Sequence, residues 1–375
     1  MPARVLPLLL IAVVLTAPLS AQVSTIIIPA GTPEDQELQL ITAETDDAKR
    51  IEMYKAFVEK FAANPAAVAY GNWQLGQLYQ TEGDLQQALA AGNKALAAAP
   101  NNIEILASQA QTAQQLKLYA KVIDYAIKGG EAFNGIGKNK PEGMTDEKLA
   151  SEVESAKRAA QPSYEFLETA ALNAFASIDD PKARFGYVER FEQAFPKSRF
   201  EEQIGQYGMF SLQEMREPAR AITYGEKLLA KNPESLATLV LMAGLYAEEQ
   251  KAGNPVKALA YAKKAIDLAN ADAADADTTR KLSAGVAYSA MGFALIRQEK
   301  VAAAIPELKR GAELLKQDPG SYSTVLYRLG YAYAKLNRTT EARDVLMEAS
   351  KIPGPVQAPS QDLLSKVNAA RAKGK

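Results

Sequence analysis

Small residues recur along this chain at one fixed set of steps, and that spacing restricts the fold more than any other feature. Gly76, Ala88 and Ala95 are twelve and then seven residues apart. Gly292, Ala304 and Gly311 repeat the steps, as do Gly330, Ala342 and Ala349. In each set the first position falls in one run of helical periodicity and the other two in the next. Glycine inside a helix costs roughly 1 kcal/mol relative to alanine, so its recurrence needs a packing reason. Two antiparallel helices that meet where side chains are missing supply one.

The surrounding sequence agrees. Apart from the short STIIIP at 24–29, no segment alternates as a strand would, and after Pro33 apolar residues recur at three and four spacings, with breaks at Gly, Asn and Pro. The chain is therefore expected to be all-α. Asp84 with Gln87 three residues later forms a candidate capping box. Pro181, Pro218 and Pro255 read as first residues of helices that follow Asp180, Glu217 and Asn254.

Composition removes much chemistry. The 375 residues include no histidine and no cysteine, which excludes imidazole acid–base catalysis, histidine-paired nucleophiles and zinc sites built on thiolate or imidazole. No metal site and no cofactor is expected. Lys and Arg (43) nearly balance Asp and Glu (44) without long like-charge runs, which argues against a nucleic-acid surface.

Two local patterns suggest chemistry and fail on inspection. AFNGIGKN, 132–139, approaches a phosphate loop, but Asn139 stands where a hydroxyl is needed and a helix precedes it instead of a strand. Asp179 and Asp180 are adjacent and followed by Pro181, a capping arrangement more than an acid–base pair. No catalytic residue is expected.

The residues around the small positions match a known pattern. LGQLYQTEGDLQQALAAGNKALAAAP, 75–100, resembles a tetratricopeptide repeat through its Leu-Gly pair, Tyr79, Gly83, Ala88, Ala95 and Pro100. LGYAYAKLNRTTEARDVLMEA, 329–349, does so through Gly330, Tyr333, Ala342 and Ala349, and a looser copy carries Ala243, Tyr246, Ala258 and Ala265. The family period of about 34 residues separates Gly76 from Ala110. MYKAFVEKFAANP and GYVERFEQAFPKS, with Phe57/Phe61 and Phe191/Phe195, look like second helices of diverged repeats, similar to those of bacterial envelope-assembly proteins.

The resemblance implies an α-solenoid, a superhelical array of antiparallel helix pairs, in an exported bacterial protein. It is expected to run as repeats over 45–136 and 163–353, with an insertion and linker helix at 137–162. A Pro/Gly linker and capping helix are expected over 354–375, and an extended or disordered lead-in over 22–44. Residues 1–21, with Arg4, an apolar run from Val5 to Ala17 and small residues up to Ala21, read as a signal peptide. The mature chain is expected to be periplasmic or secreted, without an integral membrane segment; retention of the leader as an anchor is the alternative.

Stacked repeats bind along the concave face lined by first helices. Counting one turn either side of Gly76 gives Tyr70, Trp73, Gln77 and Gln80, with Glu104, Ala107, Gln111 and Gln114 equivalent in the next copy. Toward the C-terminus the face holds Ser289, Phe293, Ile296, Arg297, Tyr327, Tyr331 and Lys335. Tyr70, Trp73, Gln77, Gln80, Gln111, Phe293, Arg297, Tyr327 and Tyr331 are the candidate partner-binding residues; the plainer reading of the rings is core packing. The family's best-known groove clamps a terminal carboxylate with lysine and asparagine, but Trp73 and Gln77 stand in the matching places here, so that ligand is not implied. The expected function is a non-catalytic scaffold for a protein or peptide partner. The alternatives are a component of outer-membrane or cell-wall assembly and a carboxylate-dependent cell-wall enzyme. Self-association is open to an array with an exposed end face.

Overall fold

The structure is a computed structural model and describes residues 26–249 and 253–373. The leader at 1–21 lies outside them. Contacts divide the chain into two compact units, one holding the residues up to Asp179 and Glu189–Ser198, the other Asp180–Val188 and Arg199 onward.

The first unit contains α1 (Pro33–Ala43), α2 (Asp47–Lys60), α3 (Pro65–Thr81), α4 (Leu85–Ala98), α5 (Ile103–Gln115), α6 (Tyr119–Gly135) and α7 (Asp146–Phe175). The next helix, α8 (Pro181–Ala194), contributes residues to both units. The second unit continues with α9 (Glu201–Glu214), α10 (Pro218–Lys231), α11 (Leu236–Glu248), α12 (Asn254–Ala269), α13 (Thr278–Arg297) and α14 (Val301–Leu315). It ends with α15 (Pro319–Lys335), α16 (Thr339–Ala349) and α17 (Gln357–Lys373). Among the described residues there are helices and no strands, and within each unit consecutive helices pack as pairs.

One turn design joins the two helices of a pair. Lys117, Arg216, Glu299 and Asn337 each follow a first helix with φ near +60°, and Gly83 takes the same place at +81°. The next residue donates its backbone N–H to the carbonyl five residues back: Leu118 to Ala113 (2.8 Å), Glu217 to Leu212 (2.9 Å), Lys300 to Leu295 (3.0 Å) and Arg338 to Tyr333 (2.9 Å). This left-handed closure satisfies carbonyls the helix would otherwise leave orphaned. It lets the second helix start almost at once, without a side-chain cap at Leu118, Glu217, Lys300 or Arg338. Most first helices, by contrast, begin on side-chain caps: Asn64, Asn102, Thr145, Ser235, Asp277 and Asp318 all accept from first-turn amides, while α9 starts after Phe200 without one.

The small-residue steps mark the closest helix contacts. A Cβ on Gly76 would lie 3.3 Å from the Ala88 carbonyl oxygen and 3.5 Å from the Gly92 nitrogen. Gly292 and Gly330 meet Leu308 and Leu346, each sixteen residues on, where an added Cβ would come within 2.5 Å of the leucine Cγ. Ala88, Ala304 and Ala342 are buried beside them.

In the first unit an aromatic run ties α6, α7 and the end of α8 together. Phe133 stacks on Tyr164 at 4.2 Å, Tyr164 meets Phe195 at 4.9 Å, Phe195 stacks on Phe191 at 4.6 Å, and Phe191 meets Phe175 edge-on at 5.9 Å. Burial, with Glu168 nearby, pushes the Tyr164 hydroxyl up to about 12. In the second unit Leu308, Leu315, Val325, Leu329 and Leu346 form a core that α17 extends with Val367, Leu363 and Leu364.

Local differences from the sequence reading have identifiable causes. The lead-in is not extended throughout: Pro33–Ala43 is helical, because Thr32 accepts from the Asp35 amide at 3.2 Å and Glu34 and Asp35 complement the helix dipole. Ile26–Pro29 forms no strand, and Ile28 packs on the adjacent core. α6 ends at Gly135, just before the expected insertion, and α7 runs unbroken through Pro162 across the expected boundary at 162/163. Pro255 sits at the second helical position, since Gly253, with φ of +85°, is the N-cap. Asp84 accepts from the Gln87 backbone amide at 3.0 Å, but the Gln87 side chain donates to the Asp84 carboxylate at 2.7 Å instead of accepting from the Asp84 backbone N–H, so only half of the capping box forms. Those bonds, the backbone one foremost, hold the Asp84 carboxyl below its usual range.

Candidate functional site: a groove cavity on three first helices

The first unit opens a cavity of about 600 Å³ between α3, α5 and α7. Trp73, Gln77, Gln80 and Thr81 line it from α3, Glu104, Ala107, Ser108 and Gln111 from α5, and Pro162, Ser163 and Phe166 from α7. Four of the nine sequence candidates, Trp73, Gln77, Gln80 and Gln111, thus share one space. Trp73 and Ala107, like Gln77 and Gln111, are one repeat period apart, so equivalent faces of successive helices form its two sides.

Its polar lining makes few bonds to other protein groups. Trp73 Nε1 is sealed from solvent and finds no acceptor. Among the described residues no hydrogen bond or ion pair engages the side chains of Gln77, Gln80, Gln111 or Glu104.

Tyr70 is not in this cavity. Its ring stands edge-on to Trp73 at 6.5 Å and lines a separate space with Ile26, Ile28, Leu38 and Thr42. The four candidates of the second unit are drawn into packing. Arg297 donates through Nη1 to the carbonyls of Ala247 (2.7 Å) and Glu249 (2.5 Å), closing the end of α11, so its guanidinium serves that helix. Phe293 is covered by Arg328, whose guanidinium carbon sits 4.7 Å above the ring. Tyr327 and Tyr331 are half-buried against the core.

The tetratricopeptide-repeat family pattern matches residues 69–102, which build α3 and α4, and 323–353, which cover most of α15 and all of α16. The chain carries tetratricopeptide repeats. It is similar to the solved TPR domain of P58(IPK), at 12% identity and a TM-score of 0.32, over 92% of this chain and 99% of that one. It is also similar to a tetratricopeptide repeat protein from Parabacteroides merdae ATCC 43184, at 14% identity and 0.37, over 89% and 98%. No curated protein matches it.

The matched N-terminal repeat supplies the α3 share of the lining. α7 adds Pro162, Ser163 and Phe166, which the sequence reading did not include. Phe166 stands at the edge of the buried stripe of Leu167, Ala170, Ala171 and Ala174 on α7, a large ring left 38% exposed.

Two further polar groupings brace the repeats of the second unit. Arg328 bonds Ser289 Oγ at 3.0 Å and Glu248 at 2.8 Å, and burial lowers its basicity against the pull of Glu248. Glu226 receives the hydroxyls of Tyr246 and Tyr261, each at 2.7 Å. Among the described residues no group of three or more acidic side chains is placed to hold a metal ion, and no helix is long and apolar enough to cross a membrane.

Proposed function

We propose that this protein is an exported, non-catalytic interaction scaffold whose partner protein is held in the cavity between α3, α5 and α7. Repeats of this kind present extended concave surfaces that bind by shape and polar matching. The observation that carries the reading is the open cavity of about 600 Å³ that brings Trp73, Gln77 and Gln80 of one helix together with Gln111 of the helix one repeat on. A partner that supplies acceptors and donors there exchanges the amides' hydrogen bonds to water for protein hydrogen bonds.

Export rests on residues 1–21: one arginine, thirteen residues from Val5 to Ala17 that are all apolar apart from Thr16, and small residues up to Ala21. A role in envelope assembly is the narrower form of the proposal. The mass and cell fraction of the protein purified from its own host test export, since cleavage near Ala21 removes the leader, and a full-length chain in the cytoplasmic fraction refutes it. Cross-linking in intact cells with wild-type and Trp73→Ala/Gln111→Ala chains tests the site. A partner recovered with the first and lost with the second supports it, and equal recovery refutes it.

A further inference from the structure

A second cavity of the first unit, of about 390 Å³, opens between α4, α5, α6 and the α4–α5 turn. It shares no lining residue with the cavity described above: α5 gives it Leu106, and gives the other Glu104, Ala107, Ser108 and Gln111. Its volume falls in the range of roughly 300–1,000 Å³ that small-molecule sites occupy. Half-buried Leu96 and Ala132 and fully buried Leu106 make an apolar floor, and Asn101 adds an amide.

Of its lining residues only Lys128 and Glu131 are charged, and they carry opposite signs on one exposed turn of α6. Three residues apart on a helix, such side chains are neighbours, yet among the described residues neither joins an ion pair or a side-chain hydrogen bond. Their order contributes to this, since base before acid along a helix runs against the macrodipole and is the weaker arrangement. Beyond Glu131, α6 ends at Gly135 with no basic residue in its last turn. The negative end of the helix thus follows Glu131 uncompensated, and both favour a cation. Lys128, one turn earlier, favours an anion.

A simple anion entering here would meet Lys128 but also Glu131 and the helix end, and a simple amine would meet Glu131 but also Lys128. A molecule that holds both charges satisfies both groups at once. We propose that this cavity binds a free α-amino acid with an apolar side chain, its ammonium on Glu131 toward the end of α6, its carboxylate on Lys128 and its side chain on Leu96, Leu106 and Ala132. Exposed ion pairs are individually weak, so the dissociation constant is expected at about 1 mM. This site stands independently of the partner-binding cavity.

The test is saturation-transfer NMR of the purified protein with L-leucine, with leucinamide, which lacks the carboxylate, and with N-acetylleucine, which lacks the ammonium. Leucine is expected to saturate, and each analogue to bind roughly twofold to fivefold more weakly. Lys128→Met is expected to erase the advantage over leucinamide, and Glu131→Gln the advantage over N-acetylleucine. Gly135→Leu is expected to abolish binding by filling the space, because a Cβ at Gly135 meets nothing within 4 Å and the fold accepts it; circular dichroism melts check that each variant is folded. No saturation by roughly 20 mM leucine, analogues that bind as well as leucine, or binding unmoved by all three variants would overturn the proposal. Trp73→Ala/Gln111→Ala is expected to leave leucine binding unchanged, and a loss there would assign the amino acid to the other cavity and overturn the proposal as well.

Discussion

Tyr246 and Tyr261 stack nearly parallel, their ring centres 5.7 Å apart and their planes 11° from one another, and both hydroxyls donate to the same carboxylate. That carboxylate belongs to Glu226 on α10, while the tyrosines lie on α11 and α12. Lys257 completes the group, donating to the Tyr246 hydroxyl at 3.1 Å. A single acid thus fastens three helices of the second unit.

Replacing Glu226 with alanine is expected to lower stability by about 1–2 kcal/mol, because the side chain is partly exposed and solvent screens part of the bonding. Urea unfolding of the variant checks this, and an unchanged midpoint would mean the bonds are idle.

The same group sets a pH dependence. Burial alone would raise the Glu226 carboxyl, but the bonds from Tyr246, Tyr261 and Lys257 outweigh it and hold it below 4.5. The unfolded chain then binds the proton first as pH falls, so this contribution is present above pH 4.5 and is lost as pH drops through the lowered native value. Both tyrosine hydroxyls are raised above 10, by burial first and then by the Glu226 carboxylate. Their contribution is full below pH 10 and is lost progressively as pH rises from there through the raised native values. Melting temperatures across pH should show both losses in the wild type and reduced losses in Glu226→Gln.

The left-handed turn positions offer stabilising substitutions. Lys117, Arg216 and Glu299 hold φ of 58°, 58° and 60°, which strains any residue with a Cβ. Changing each to glycine is expected to add roughly 0.5–1 kcal/mol, the relief being partly offset by glycine's entropy in the unfolded chain. Gly83→Ala, at +81°, should do the reverse, and thermal melts of the four variants distinguish these signs.

Helical glycines should separate by what faces them. Gly130→Ala places a Cβ 2.7 Å from the Ala194 carbonyl oxygen, a backbone atom that cannot swing away, and should cost about 1–3 kcal/mol. Gly76→Ala, at 3.3 Å from the Ala88 oxygen, should cost less. Gly244→Ala meets nothing within 4 Å and should stabilise by about 1 kcal/mol through helix propensity alone. Denaturant titration of the three gives the order, and an inverted order would refute the close-approach explanation.

Trp73→Phe removes a sealed donor that has no acceptor. In the absence of a ligand the variant is expected to be as stable as the wild type, or up to about 1 kcal/mol more so. A clear loss of stability would mean the indole N–H is satisfied in the free protein.

The repeat was legible in the sequence because its signals are local or periodic. Gly76, Ala88 and Ala95 announce a close contact by composition and spacing alone, and Asn102 or Asp318 declares a helix start from its own side chain. The positions of Trp73, Gln77 and Gln111 on one face follow from helical period, and the structure places them around a common space. What period cannot convey is which neighbour a face meets. Arg297 and Phe293 share the face pattern of Trp73, yet Arg297 is spent on the carbonyls of Ala247 and Glu249, fifty and forty-eight residues away, and Phe293 lies under Arg328. Phe166 joins Trp73 across a gap of more than ninety residues. Helix identity, pairing and turn closure depend on interactions within a few residues, so the chain itself determined them; the occupancy of each groove position depends on long-range packing and desolvation, which only the tertiary structure decided.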